Sequence, residues 1–253
     1  KGRLMLIAME SGSWGGWLLL LAAMALAPFV LTMITSFVKL VIVGSIIRTA
    51  LGTPQIPPAI VINGLALVLT VYIMWPVGEQ VATNYAQLAA DRKSQKAAHS
   101  PAAKATESAP ENELSPGEAF ETVVAAARGP MTQFLTKHSD PANRTMFRQL
   151  RERLRQPRKP TSAPAVEAPA DSASELTILV PAFVLTELTE AFQIGFLIFL
   201  PFVIVDLVVS NVLLAIGAQS LQPTLVSLPL KLLLFVLVDG WSMLVKSLIL
   251  GYV

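Results

Sequence analysis

The sequence predicts an all-α membrane protein: two kinked helical hairpins flanking a small polar helical insert carried on disordered linkers. Three observations carry that prediction. Two long apolar blocks, Trp17–Val77 and Leu176–Val253, flank a middle rich in Pro, Ala and charge. Hydrophobic residues make up 53% of the 253 and charged ones 14%, against about a quarter charged in soluble domains. Mean hydropathy is +0.60, a membrane-class value. The boundaries follow as 1–78 for the first hairpin, 79–176 for the insert with linkers 91–114 and 157–175, and 177–253 for the second hairpin.

Composition also narrows the chemistry. A formal net charge of +2 is too small to point to nucleic acid. The chain has no Cys, so no disulfide framework and no thiolate metal site. Its two His, His99 and His138, both fall in the polar middle, which leaves no histidine for a metal or proton-relay site in the apolar blocks. Lys1, Arg3, an apolar run and Ala25-Leu26-Ala27 have the order of a signal peptide, but the run continues to Ile47, which favours a membrane segment.

Taken in order, Trp17–Ile47 is apolar apart from Lys39 and a Thr35–Ser36 pair, and Pro28 predicts a kink. Arg48–Pro58 reads as a polar turn with three Pro and one Gly. Ala59–Val77 has the spanning length and ends at Trp75–Pro76. Lys39 and Arg48 near this turn place it in the cytoplasm and the insert outside. Asp91–Glu113 has no hydrophobic period and reads as linker. Ser115-Pro116-Gly117-Glu118 is a capping box that starts a helix, which Gly129–Pro130 is expected to interrupt. Asp140–Pro141 starts another, with Met146, Phe147, Leu150 and Leu154 on one side and Arg148, Arg151, Arg153 and Arg155 around them. That basic helix is either a solvated face or a docking face for acidic lipid or a partner. Pro157–Ala173 reads as a second linker. Ile178–Ile216 is the third block, bent at Pro181 and Pro201. Gly217–Pro223 is a short turn, and Leu225–Val253 is the fourth block.

Six ions stand inside apolar stretches: Lys39, Glu187, Glu190, Asp206, Lys231 and Asp239. An isolated ion at the bilayer centre costs a few kcal/mol or more, so each must meet a partner or a water-filled path. The mixed signs favour inter-helix or inter-subunit pairs, Asp206 with Lys231 among them, over a conduction path. Asp206 and Asp239 on neighbouring helices raise an intramembrane aspartyl protease, but IVDLVV and LVDGWS lack a Gly-x-Gly-Asp pattern. No P-loop, Ser/His/Asp set or metal-ligand spacing is present, so neither enzyme, cofactor nor metal is expected.

The residues themselves go further. Ala27–Val77 carries a TSF…R-ALG…PP…NGLAL pattern, Leu179–Gly217 an AFQIGF-I-LPF…D pattern, and Ser227–Trp241 reads SLPLKLLLFVLVDGW. Together they resemble the FliP/SctR family (YscR, HrcR, SpaP), core proteins of flagellar and injectisome export apparatus. The middle stretch RGPMTQFLTKHSDPANRTMF looks closer to injectisome members. The resemblance implies a non-enzymatic homopentamer in the bacterial inner membrane, with the polar insert on the periplasmic side. It also implies assembly with SctS/FliQ-like and SctT/FliR-like proteins, alongside SctU/FlhB-like and SctV/FlhA-like components, around a pore that passes unfolded proteins. Family members carry a Met run after the glycine of the second hairpin turn, a flexible gasket over the pore. Here Gly217 is followed by Ala218, Gln219, Ser220 and Leu221, which the resemblance places at the constriction and whose chemistry makes it more polar. The alternative reading is a four-helix ion or solute transporter that uses Asp206 and Lys231.

Overall fold

A computed structural model of the chain describes residues 21–22, 24–53, 57–99, 116–155, 172–218 and 220–252. The signal-peptide motif before Leu21, linker residues 100–115 and 156–171, and Gln219 lie outside them. The described residues form eight helices and no strand. In chain order these are α1 (Met24–Met33), then α2 (Phe37–Ala50), α3 (Ala59–His99), α4 (Pro116–His138), α5 (Pro141–Arg155), α6 (Ser172–Ala215), α7 (Pro223–Leu237) and α8 (Gly240–Leu250).

Within the described residues the chain divides into two compact units. One holds α1 up to Thr32 together with Pro76–Phe134; the other holds Met33–Trp75 and Leu135–Tyr252. The first unit joins the second half of α3 to most of α4. Asn84 Nδ2 donates to the Ala126 carbonyl at 3.2 Å. Arg92 Nη1 donates to the Glu118 carbonyl at 3.2 Å.

In the second unit α2 is the central strut. Its buried positions, Lys39, Leu40, Val43, Ile47 and Ala50, recur every three to four residues and form one helical stripe. That stripe packs chiefly along α6. Gly195 of α6 lets Ile46 of α2 approach so closely that a Cβ there would collide with it. Leu40, Val43 and Ile47 share a core with Ala66 and Leu69 of α3, Ala191 and Phe202 of α6, Phe235 of α7, and Leu244 and Leu248 of α8. The deepest packing of α2 is thus against the third apolar block.

The helices depart from the sequence reading mainly at proline. The first block breaks at Ile34–Ser36, and Pro28 lies inside α1. Neither Trp75–Pro76 nor Gly129–Pro130 ends a helix, since Pro76 sits inside α3 and Pro130 inside α4. α3 runs on to His99, into the stretch read as linker from Asp91. The reason is composition: AQLAADRKSQKAA is rich in Ala, Gln, Lys and Arg, good helix formers that propagate an existing helix. Pro181 and Pro201 both lie within the single helix α6. The fourth block instead divides at Val238–Asp239, where α7 and α8 meet at a 59° bend. Asp239 there has φ 50° and ψ 49°, a left-handed conformation.

Among the described residues two helices are long and apolar enough to cross a membrane, α3 over Ala59–Arg92 and α6 over Glu175–Ala215, and each bent pair, α1–α2 and α7–α8, would add one more if it counts as a single span.

Candidate functional site

The six ions of the apolar blocks fall into two clusters in the second unit plus one outlier. Lys39 and Glu187 are almost fully buried, at 2% and 1% exposure. Lys39 lies in the first turn of α2 and faces α6. Its Nζ lies 2.7 Å from Glu190 Oε2 and 3.2 Å from Glu187 Oε1. The Tyr252 hydroxyl donates to the other oxygen of Glu187. The Tyr252 ring also lies under the ammonium, 4.2 Å from Nζ to centroid. Glu187 and Glu190 are three residues apart on α6 and present one face to Lys39.

His138, at the end of α4, stacks obliquely on Tyr252 at 5.2 Å between ring centroids. A cleft of about 280 Å³ opens beside the cluster, lined by Lys39, Lys137, His138, Ser139, Glu187 and Glu190 among others. Burial first, then the charges of Lys137 and Lys39, hold His138 below its ordinary 6.5, with Glu190 opposing. One turn before Glu190, Thr186 Oγ1 accepts the Asp140 backbone N–H and the Asn143 side-chain amide, both at 3.0 Å, and donates to the Ala182 carbonyl at 2.8 Å. The α4–α5 junction is thus fastened to α6 beside the ions. Asp140 Oδ1 accepts the Ala142 N–H at 2.7 Å at the start of α5.

The second cluster joins α2, α6 and α7. Lys231 Nζ lies 2.6 Å from Asp206 Oδ2 and 3.2 Å from the Ala50 carbonyl. Ser227 Oγ donates to Asp206 Oδ1 at 2.6 Å. Ser227 and Lys231 are four residues apart, on one face of α7. The ammonium also sits at the C-terminus of α2, where the helix dipole favours a cation. Asp239 joins neither cluster: it is exposed, and its side chain makes no cap bond to α8. It lies beyond the end of α7, past Lys231. Asp206 faces a serine and a lysine, not a second carboxylate, so the arrangement is not a shared-proton pair.

The turn after α6 closes as a Schellman motif. The Ala218 N–H bonds the Leu213 carbonyl at 2.9 Å and the Gly217 N–H bonds Leu214 at 3.1 Å. Gly217 takes the left-handed position at φ 73°. Beyond it Ser220 and Leu221 are exposed.

Sequence reasoning missed Tyr252, Thr186, Ser227 and His138 as members of these clusters. The i,i+4 spacing of Ser227 and Lys231 was available as a signal. Nothing local marks Tyr252, whose partners lie far away in the chain.

Comparison with known proteins gives a concordant result. The FliP family profile matches residues 20–248. The chain is 35% identical over 245 residues to the hypersensitivity response secretion protein HrcR of Ralstonia nicotianae, covering 96% of this chain and 100% of that protein. It is 37% identical over 235 residues to the Yop proteins translocation protein R of Yersinia pestis, covering 93% and 94%. It is 38% identical over 232 residues to the flagellar biosynthetic protein FliP of Bacillus subtilis, covering 92% and 89%.

Proposed function

The chain belongs to the FliP family, and we propose that it is the pore-forming subunit of a type III secretion export gate. In this reading five copies assemble with SctS/FliQ-like and SctT/FliR-like membrane proteins in the bacterial inner membrane, alongside SctU/FlhB-like and SctV/FlhA-like components. The insert faces the periplasm, and unfolded proteins pass through the shared conduit. The chain itself catalyses no reaction. The names of its relatives, a secretion protein and a translocation protein, support the transport role.

The observation that carries the assembly is a mismatch of lengths. The apolar stretch Glu175–Ala215 is one helix of 41 residues. At about 1.5 Å per residue it is ~60 Å long, twice the ~30 Å of a bilayer core. Phe196, Leu197, Leu207, Val208 and Leu214 are exposed along it. These exposed residues span about 27 Å of a helix that runs well past a bilayer core, and in this reading sister subunits cover part of that face. The turn Gly217–Leu221 then becomes the constriction. Asp206 and Lys231 engage each other, Ser227 and the end of α2, which is the work of a structural tie and speaks against a solute-binding role.

The test is co-expression with the two small membrane partners, followed by native mass spectrometry and electron microscopy in detergent. The expected result is a multi-copy complex with a central passage. A monomer that stays alone under conditions that preserve related complexes would overturn the proposal.

A further inference from the structure

Three chain crossings connect the two compact units, at Thr32/Met33, Trp75/Pro76 and Phe134/Leu135. Each falls at or within about a turn of a helix defect. The first precedes the break at Ile34–Ser36, the second is at the in-helix Pro76, and the third follows the in-helix Pro130 by one turn. A proline inside a helix withdraws the N–H that would bond the carbonyl four residues earlier, and its ring crowds that carbonyl. For Pro130 that carbonyl belongs to Ala126, which is buried at 1% exposure. Asn84 Nδ2, reaching from α3, donates to this same oxygen at 3.2 Å. Pro76 and Pro130 line one polar groove of about 700 Å³, with Glu79, Thr83, Asn84 and Gln133 between them.

We propose that Asn84 is a lock on a proline hinge in α4: it supplies the donor that Pro130 removes, so α4 is stiff at Pro130 only while α3 lies against it. The coupling is one-directional in its chemistry. If α3 withdraws, Ala126 is left with a buried, unbonded carbonyl, and α4 relieves it by opening toward water in the groove. Rigidity at the point where the chain passes from one unit to the other is thereby conditional on α3–α4 docking. Pro76 gives α3 the matching freedom on its own side. An export gate that admits bulky, unfolded chains has use for such a joint, but the lock stands on the hydrogen bond and the proline alone.

Hydrogen exchange of the full chain in detergent micelles tests it, with a readout that does not pass through secretion. Asn84→Ala is expected to speed amide exchange over residues 127–136 about fivefold, the scale of one neutral hydrogen bond. Pro130→Ala restores the helix's own donor to Ala126, so Asn84→Ala in the Pro130→Ala background should change exchange by less than about 1.5-fold. An equal acceleration in both backgrounds would show that Asn84 acts through other contacts and would overturn the proposal. No acceleration in the Pro130 background would overturn it as well. Loss of exchange protection throughout the chain in Asn84→Ala, undone by adding Pro130→Ala, would support the lock.

Discussion

Lys39→Met removes the one charge that both Glu187 and Glu190 face while keeping the length of the side chain. The two carboxylates are not equivalent. Glu190 has 45% of its side chain exposed, so water takes over much of its solvation and its pairing is worth about 0–1 kcal/mol. Glu187 has 1% exposed, and its remaining partner is the Tyr252 hydroxyl. Leaving one member of a buried pair uncompensated costs about 3–5 kcal/mol. The cation–π contact with Tyr252 goes too, and it adds about 1–2 kcal/mol where desolvated. At about 2–4 °C per kcal/mol for a chain of this size, the pair alone predicts a fall in Tm of ~6–20 °C. The assay is thermal unfolding of the purified chain in detergent, read by tryptophan fluorescence. Lys39→Met/Glu187→Gln is the decisive companion, because Gln keeps an acceptor for Tyr252 and removes the stranded charge. It should recover at least half of the loss. A single variant within about 2 °C of the parent, or a double variant less stable than the single, would refute the assignment of Lys39 as the counter-ion of Glu187.

Gly52 has φ 77°, and a Cβ there would meet only ordinary contacts, the nearest being Lys231 Nζ at 3.7 Å. Gly52→Ala should therefore cost about 1–2 kcal/mol through the backbone alone, and Gly52→Asn should cost less in the same melting assay, because Asn tolerates the left-handed region. His138 is held below its ordinary 6.5, so the folded chain binds fewer protons there than the unfolded one, and stability falls as pH drops below about that value. His138→Gln should flatten the fall in Tm between neutral pH and pH ~5; an unchanged pH profile would assign that dependence to other groups. In the assembled complex in liposomes, replacing Ala218, Gln219 and Ser220 together by Met should reduce leak of a small dye, since Met packs a constriction that Gln and Ser leave wet; an undiminished leak would place the seal elsewhere.

The fold class was legible because lipid-facing and subunit-facing surfaces leave the same trace, a long apolar block, and because charge collects in the middle. The ions were legible as anomalies for the same reason: Lys39 and Glu187 stand out against Leu, Ile and Val. Their partners were less so. Lys39 lies 151 residues from Glu190, and Tyr252 lies 65 from Glu187, so no local period links them. Charge balance pointed to Asp206 with Lys231, and the two ions do sit together, but it could not show that the ammonium also caps α2 at Ala50. The turn at Gly217 was legible from its glycine and polar neighbours, while the constriction proposed for it rests on the family resemblance.

Local reading ended helices at Trp75–Pro76 and Gly129–Pro130, and both helices continue through the proline. Pro28, Pro76, Pro130, Pro181, Pro201 and Pro229 all lie inside helices, while the bends between α1 and α2 and between α7 and α8 fall at Ile34–Ser36 and Val238–Asp239, which contain no proline. An interior proline costs about 3 kcal/mol in an isolated helix, through a lost hydrogen bond and a clash. The hydrogen-bond part of that cost falls where the freed carbonyl finds another donor, which is a fact about the neighbouring helix and not about the proline. Ala126 finds Asn84, and α4 continues. A break, by contrast, needs a reason to turn that outweighs every bond in the helix beyond it. At Val238–Asp239 that reason is packing. Gly240 sits against the Phe235 ring so closely that a side chain there would collide with it. Phe235 in turn meets Trp241 edge to face at 5.3 Å, which holds α8 at its 59° bend from α7. Asp239 takes the left-handed step because Asp is among the few non-glycine residues that tolerate it. Helix continuity in this chain is thus decided by contacts between helices, so a reading confined to one segment at a time misplaces it.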